Sequence, residues 1–239
     1  MSSKAHVPVL LGPVLEGLNI RANGCYVDGT FGRGGHSSAI LERLTANGRL
    51  ISIDRDPQAI ASAPKALLSD PRFELIRGES AQLEKFIDER DLRGEVDGVL
   101  LDLGVSSPQL DEAGRGFSFL RDGPLDMRMD PDTGISAAEW LAKVEEKELR
   151  RVLKTYGEER FAARIARAIV SARDEAPILS TVQLADIVAA AVPAHGQKRH
   201  PATKSFQAIR VFINGELDQL KSALEQSVNV LRKQTALRS

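Results

Sequence analysis

Short apolar runs alternate with stretches of helical period along the first part of the chain. Four of these runs are typical of buried strands, and they cover residues 25–28, 49–54, 73–77 and 96–103. Helices are predicted between the strands, the first running through Leu44, the second from Pro57 through Ile60, and the third from Ser80 to Arg90. Strands that alternate with helices imply right-handed crossovers and hence a parallel sheet. The predicted fold class is therefore α/β.

The pattern changes after the fourth run. Residues 104–134 are rich in Gly, Pro, Asp and Ser and show no clean period. Apolar spacing then predicts helices over 158–173 and 181–192, the second capped by Thr181. One long helix is predicted from Ser205 to about Leu231, with Leu217, Leu224 and Val228 on its apolar stripe. We expect a sheet domain over 1–110, a helical insert over 111–204, and a return helix of the sheet domain over 205–239.

Composition narrows the class of protein. Of the 239 residues, 42% are hydrophobic and 27% are charged, which is ordinary for a globular protein. No apolar run approaches the roughly 18 residues of a membrane span, and the N-terminus lacks the core of a signal peptide. Cys25 is the only cysteine, so the sequence favours neither an internal disulfide nor a metal cluster. We therefore expect a cytoplasmic protein without membrane association.

Charge is distributed unevenly along the chain. Between positions 143 and 210 there are 13 Lys and Arg against 8 Asp and Glu, whereas the remainder has 19 against 25. Arg160, Arg164 and Arg167 fall on one helix face, and Lys198-Arg199-His200 carries no nearby acid. These groups are candidate contacts for an RNA backbone, with a set of solvated helix faces as the alternative.

A glycine-rich turn follows the first predicted strand, with the sequence Asp28-Gly-Thr-Phe-Gly-Arg-Gly-Gly-His36. Glycines let the backbone approach a ligand closely, and the following helix offers free N–H groups. A nicotinamide site would require Gly-x-Gly-x-x-Gly, and Ser37 stands at the last glycine position. An acidic residue beside such a turn suits the ammonium group of S-adenosylmethionine (SAM). A purely structural turn is the alternative.

Asp28, Asp54 and Asp102 stand at the carboxyl ends of the first, second and fourth predicted strands. Ligands bind at that edge of a parallel sheet. Asp54 is placed to accept both ribose hydroxyls of a cofactor, the alternative being a solvated residue in a strand-to-helix turn.

The segment Asp102-Leu-Gly-Val-Ser-Ser-Pro-Gln109 leaves the fourth strand where a reacting methyl group would lie. Amino-methyltransferases often carry an Asp/Asn-Pro-Pro-aromatic turn there. This sequence has Ser106-Ser-Pro-Gln109 instead, at a comparable spacing but with different residues. Acceptors such as Asp102 and Ser106 can bind the N–H groups of an amine that attacks. Ser106 and Ser107 can also be simple turn formers. Asp102, Ser106 and Pro108 are the candidate catalytic residues.

Seven segments together resemble the RsmH/MraW family of bacterial 16S rRNA cytosine-N4 methyltransferases. They span residues 28–36, 54–59, 101–111, 115–119, 122–130, 154–160 and 200–210. The resemblance implies a Rossmann-like SAM-dependent methyltransferase sheet with an inserted helical domain that holds RNA. It also implies methyl transfer from SAM to N4 of a cytidine in the decoding centre of 16S rRNA.

The family's cofactor contacts can be carried over to matching positions. The resemblance implies that SAM is bound by Gly34, Gly35, His36, Asp54, Asp102 and Gln109. Ser80 stands where the family has an adenine-side aromatic, and it is the candidate cofactor-binding residue at that position. The expected partner is 16S rRNA in the small ribosomal subunit. The chain can be a monomer or a homodimer, and no metal is expected.

The sequence departs from the family after the long predicted helix. Family members continue with a Gly-Gly-Arg-Leu strand and a Ser-Phe-His-Ser-Leu-Glu-Asp segment, whereas this sequence reaches Ser239 without them. We therefore expect the final strands of the sheet to be missing and the stability to be reduced. The alternative functions are a catalytically impaired relic that binds rRNA or the ribosome, and a small-molecule methyltransferase or nicotinamide oxidoreductase.

Overall fold

The structure, a computed structural model, describes residues 10–193 and 200–233. The chain packs into two compact units. The sheet unit consists of the residues up to Gly104 together with those from Leu217 onward, and the helical unit is Val105–Glu216. The helical unit is thus longer at both ends than the insert predicted over 111–204. Lys198 and Arg199 of the predicted basic loop, and residues 234–239, lie outside the described residues.

The sheet has four parallel strands in the order β3-β2-β1-β4. They are β1 (Cys25–Asp28), β2 (Arg49–Asp54), β3 (Phe73–Arg77) and β4 (Val96–Leu100). The first three have their predicted bounds. The fourth ends three residues before the predicted Leu103, because its neighbour β1 ends at Asp28, which pairs with Leu100. Asp102 therefore lies in the loop beyond β4.

Alternate residues of the central strands face opposite sides of the sheet. Tyr26 and Leu50 belong to one apolar cluster. Val27, Ile51 and Ile53 belong to another on the opposite side, and all three are fully buried. Because β1 and β2 are covered on both faces, apolar side chains point to both sides of the sheet, and apolar and polar residues do not alternate strictly along these strands.

One short helix precedes the first strand of the sheet unit, and four others follow its strands. They are α1 (Leu11–Leu18), α2 (Gly35–Leu41), α3 (Pro57–Ala61), α4 (Lys65–Leu68) and α5 (Leu83–Asp88). Pro57 occupies the first turn of α3, and Asp56 caps that helix by accepting a hydrogen bond from the backbone N–H of Gln58. The predicted helix from Ser80 begins as a 3-10 turn and becomes α-helical at Leu83.

The helical unit has an apolar core of its own. Its helices are α6 (Ser107–Asp111), α7 (Ala137–Leu141), α8 (Glu146–Gly157), α9 (Ala162–Glu175), α10 (Thr181–Ala191) and α11 (Thr203–Ile213). Leu149 and Val152 of α8 pack in one buried cluster with Ile165 of α9 and Ile209 of α11. The sequence prediction missed α8. The cap of α10 is Ser180, whose side chain accepts from the backbone of Gln183, so the predicted cap at Thr181 is off by one residue.

The single long helix predicted from Ser205 to Leu231 is wrong. The helix is interrupted at Asn214 and Gly215, which lie between α11 and α12 (Glu216–Val230). Gly215 has a φ of 58°, a left-handed conformation that interrupts a right-handed helix. The predicted apolar stripe is also misplaced on α12, where Leu217, Leu224 and Val228 are exposed.

The helix α12 belongs, from Leu217 onward, to the sheet unit. Its Gln226 accepts a hydrogen bond from the backbone N–H of Glu84 at 2.9 Å. After the helix, Leu231 forms a parallel bridge with Val96 of β4, and Arg232 N–H donates to the carbonyl of Val96 at 2.8 Å. In the described part of the chain, this bridge is the only strand pairing on the outer edge of β4. No helix within residues 10–193 and 200–233 is long and apolar enough to cross a membrane.

Candidate functional site

The glycine-rich turn is anchored by Asp28, the last residue of β1. The Asp28 side chain is fully buried, and one oxygen accepts from the backbone N–H of Thr30 at 3.1 Å. Its other oxygen accepts from the Ser37 hydroxyl at 2.6 Å, and Ser37 in turn contacts Ser52 at 2.8 Å. Burial raises the pKa of Asp28, against the opposing effect of hydrogen bonds from Ser37 and Thr30. Asp28 therefore supports the turn, and the ammonium contact suggested by the sequence does not suit its burial.

Asp54, at the end of β2, holds the turn from the other side. Its carboxylate accepts from the backbone N–H of Gly32 at 2.7 Å and from that of Asp56 at 2.8 Å, one on each oxygen. Burial raises the pKa of Asp54 to about 6, although the two backbone hydrogen bonds act in the opposite direction. A carboxylate has about four lone-pair positions, so each oxygen retains a position for a ligand hydroxyl.

Gly34 requires glycine for two independent reasons. Its φ is 75°, in the left-handed region. A Cβ atom there would lie 2.8 Å from the ring of Phe31 and 2.9 Å from Leu67. The turn therefore packs tightly on its own aromatic residue, and α2 begins immediately afterward at Gly35.

Asp102 lies in the loop beyond β4, at the same edge of the sheet. Its backbone N–H donates to the hydroxyl of Thr30 at 2.7 Å, which joins this loop to the glycine turn. Its carboxylate lies 3.6 Å from Nδ1 of His36, and the Asp102 side chain is 54% exposed, against 8% for His36. Asp102 thus presents a carboxylate to solvent beside the turn. No sequence pattern predicts that the Thr30 hydroxyl joins the two loops.

Ser80 also lies near this edge. A Cβ atom on Gly29 would lie 3.5 Å from Cβ of Ser80 and 2.6 Å from the side chain of Leu101. The residue before it, Glu79, forms an ion pair with Arg55 at 3.1 Å and accepts from Gln219 at 2.7 Å. Sequence reasoning did not single out either residue of this ion pair, because the contact joins positions 24 residues apart that show no periodic pattern.

The remaining predicted site residues belong to the helical unit. Ser106 is the N-cap of α6, with Pro108 in the first turn. Gln109 is buried, and its side-chain oxygen accepts from the backbone N–H of Ser106 at 2.9 Å in a capping box. The structure therefore assigns Ser106 and Gln109 a local role in forming α6.

The sheet unit collects one group of predicted site residues at its carboxyl edge. They are Gly34, Gly35, His36, Asp54, Ser80 and Asp102. This edge suits a polar, cationic cofactor. Asp54 has open acceptor positions, Asp102 has an exposed carboxylate, and the close-packed glycine turn lies beside them.

Comparisons with known proteins indicate the family of the chain. A family model described as the MraW methylase family matches residues 3–238. A solved structure described as a "putative rRNA-methylase from Clostridium thermocellum" aligns at 26% identity over 35% of this chain and 49% of that chain, with a TM-score of 0.31. The chain thus covers about half the length of that structure. So low a TM-score supports no structural argument, and the family match is the informative finding.

Proposed function

Because the chain belongs to the MraW methylase family, we propose that it transfers a methyl group from SAM to the N4 amino group of a cytidine in the decoding centre of 16S rRNA. The family match supports the methyltransferase class. The observation that carries the proposal is the carboxyl edge of the sheet, where Asp54 and Asp102 flank a glycine turn fixed by Asp28.

The residues at this edge fit SAM by the chemistry of their donors and acceptors. Asp54 has acceptor positions left for the two ribose hydroxyls, because each oxygen holds only one backbone N–H. Gly34 and Gly35 stand at the start of α2, where the first backbone N–H groups have no acceptor within the helix. The exposed carboxylate of Asp102 suits a positive charge.

SAM, when bound, supplies a methyl group activated by a sulfonium. An exocyclic amine conjugated with a base is a poor nucleophile, since its lone pair is delocalised into the ring. We assign Asp102 the role of accepting a hydrogen bond from that amine, which favours the pyramidal nitrogen that attacks. Its exposure makes the carboxylate accessible to a base taken out of the RNA stack.

The roles of Ser106, Pro108 and Gln109 remain predictions from the sequence. In the helical unit, Gln109 and Ser106 bond to each other across the first turn of α6. A hydroxyl at Ser106 can still accept a second hydrogen bond, because a hydroxyl oxygen carries two lone pairs. Ser106→Ala tests this role with little change in volume.

The test is methyl transfer from tritiated SAM to small ribosomal subunits that lack the modification. We expect label in 16S rRNA, with Asp102→Asn greatly slowed and Asp54→Ala impaired in SAM binding by calorimetry. Nuclease digestion and chromatography of the labelled nucleoside identify the modified atom.

Each alternative gives a different result in the same assay. RNA binding and SAM binding without any transfer would identify a catalytically impaired relic. Transfer only to small molecules would exclude the RNA substrate. Label on another base or another atom of cytidine would keep the methyltransferase class and overturn the N4 assignment.

A further inference from the structure

One polar face of α12 contacts the segment that follows β3, and both belong to the sheet unit. Gln219, Ser222 and Gln226 lie three and four residues apart on the helix, so their side chains share this face. Gln226 accepts from the backbone N–H of Glu84 at 2.9 Å and donates to the carbonyl of Ala81. The Ser222 hydroxyl donates to the same carbonyl at 3.4 Å. The helix therefore holds the 3-10 turn that precedes α5.

Gln219 bonds to both neighbours of Ser80. Its side-chain oxygen accepts from the backbone N–H of Ala81 at 3.3 Å, and its side-chain nitrogen donates to a carboxylate oxygen of Glu79 at 2.7 Å. A hydrogen bond to a carboxylate is roughly twice as strong as one between neutral groups. Because a single amide group joins the residues before and after Ser80, the position of Ser80 depends on Gln219.

The Glu79 carboxylate extends this contact to the end of β2. Its other oxygen pairs with Arg55 at 3.1 Å, and the Arg55 side chain is only 20% exposed. Salt screens such a partly shielded pair less than it screens an exposed one. Arg55 directly follows Asp54, whose carbonyl accepts from the backbone N–H of Gly78 at 2.9 Å. A chain of contacts therefore runs from α12 to the residue beside the proposed ribose acceptor.

The order of the strands decides which end of SAM reaches this loop. In the order β3-β2-β1-β4, the end of β2 has β3 on one side and β1, then β4, on the other. The proposed reaction places the methyl group near Asp102, in the loop beyond β4. The sulfur and the adenine are attached to opposite sides of the ribose. With the ribose on Asp54 and the sulfur toward β4, the adenine is directed toward β3 and Ser80.

We propose that Gln219 is a positioning residue for the adenine side of the SAM site, acting on Ser80 through Glu79 and the backbone of Ala81. This inference rests on the proposed function, because it concerns the same cofactor. It gives α12, which follows the helical unit in the chain, a part in cofactor binding. Loss of Gln219 should therefore weaken binding of the adenosine part of SAM and leave the methionine part unaffected.

The adenosine and methionine parts are tested separately by calorimetry. Gln219→Leu removes both hydrogen bonds with little change in volume and should weaken SAM binding by about tenfold, as for one lost bond to a charged group. Binding of 5′-methylthioadenosine, which lacks the amino acid, should weaken by the same factor. Binding of S-methylmethionine, which carries a sulfonium without adenosine, should not change. Equal losses for the two fragments would overturn a role on the adenine side.

Gln226→Leu is the matched control, because Gln226 lies on the same face of α12 and bonds to the same turn. It should lower the melting temperature about as much as Gln219→Leu does, while SAM affinity stays within about twofold of the unmodified chain. If both variants lose SAM affinity equally, the effect comes from the packing of α12 in general, and the assignment to Gln219 is wrong.

An exchange of partners tests the bond between Gln219 and Glu79. Gln219→Glu places a second carboxylate against Glu79, so it should weaken SAM binding more than Gln219→Leu does. Adding Glu79→Gln restores a donor and an acceptor with their roles exchanged, and should recover much of the affinity lost in Gln219→Glu. No recovery in the double variant would show that this bond does not position the loop.

Hydrogen exchange measures the same contact in the absence of SAM. The backbone N–H of Ala81 donates to Gln219, so Gln219→Leu should speed its exchange by about tenfold, as followed by NMR. Unchanged exchange would overturn the contact. If Gln219→Leu binds SAM as tightly as the unmodified chain, this inference fails and the proposed function stands. Absence of SAM binding in the unmodified chain would instead remove the proposed function, and this inference with it.

Discussion

Gly34 combines a left-handed backbone with close packing on both Phe31 and Leu67. Gly34→Ala places a Cβ atom 2.8 Å from the Phe31 ring in a backbone with φ of 75°. The left-handed backbone and the contact with the ring should together lower the free energy of unfolding by at least about 2 kcal/mol. Denaturant unfolding measures this, and calorimetry should show that SAM binding is lost as well.

Gly12→Ala is the matched control, because a Cβ atom on Gly12 in α1 meets no atom within 4 Å. It should raise the stability by about 0.5–1 kcal/mol, as expected for alanine in a helix. A Gly34→Ala protein as stable as the control would contradict the packing described for the turn.

Asp54 should make SAM binding depend on pH. Burial raises its pKa to about 6, and the ribose hydroxyls require the ionised acceptor. Binding should be constant above pH 7 and should weaken below pH 6, by at most tenfold per unit of pH. Calorimetric titrations with SAM between pH 5 and pH 8 measure this dependence.

The sign follows from the raised pKa. The folded chain holds a proton on Asp54 up to about pH 6, and binding must displace it below that pH. Asp54→Asn should bind weakly but without this dependence, which separates Asp54 from His36 and Asp102 at the same edge. A full pH dependence in Asp54→Asn would assign the titration to another group.

The sequence predicted the positions of these acidic residues but not their environments. Apolar runs end at Asp28 and Asp54, so their place at the sheet edge followed from local pattern. That Asp28 is fully buried under Ser37 and Thr30 depends on how the turn folds back over the strand. Such contacts have no periodic signature, and the role of Thr30 could not be predicted for the same reason.

At the scale of the element, Asn214 links the end of α11 to a distant loop. Its amide group donates to the carbonyl groups of Met127 and Arg210 at 2.8 and 2.9 Å, and its oxygen accepts from Met129 at 2.7 Å. Asn214 is 4% exposed, so Asn214→Ala leaves buried backbone groups unpaired. The free energy of unfolding should fall by about 2 to 4 kcal/mol.

The control for Asn214 is Asn229→Ala on the exposed face of α12. It should change the stability by no more than about 0.5 kcal/mol. Chemical denaturation of both variants compares the two sites directly. Similar losses at the two positions would show that Asn214 does not hold the loop.

Asn214 also explains why the sequence predicts one long helix where the structure has two. Apolar spacing continues past Ile213 without a proline, so one long helix was the reasonable prediction. The break comes from the left-handed Gly215 and from hydrogen bonds to residues more than 80 positions away. Local periodicity contains neither signal. The bounds of the first three strands were predicted correctly because turn residues mark them locally, whereas the end of the fourth strand depends on its pairing with β1.

At the scale of the molecule, the helical unit is one continuous segment with its own buried core. We expect residues 105–216, expressed alone, to fold with helical circular dichroism and a cooperative thermal transition. Leu149 is fully buried in that core, so Leu149→Ala should cost about 2–5 kcal/mol in the isolated segment and in the full chain. A broad, noncooperative transition of the segment would contradict independent folding.

The pairing of α12 and Leu231 with the sheet unit has a consequence for the order of events during synthesis. The backbone N–H of Glu84 bonds to Gln226, and Val96 pairs with Leu231. Each partner is synthesised more than 130 residues later, so neither contact can form before then. At translation rates of roughly 5–20 residues per second, the ribosome needs on the order of 5–20 s to make the helical unit in between. During that interval the nascent sheet lacks its closing helix, while the helical unit can already collapse as it emerges. The strands of the sheet unit are therefore synthesised before the helical unit, but their packing is completed only after α12 and Leu231 have been made.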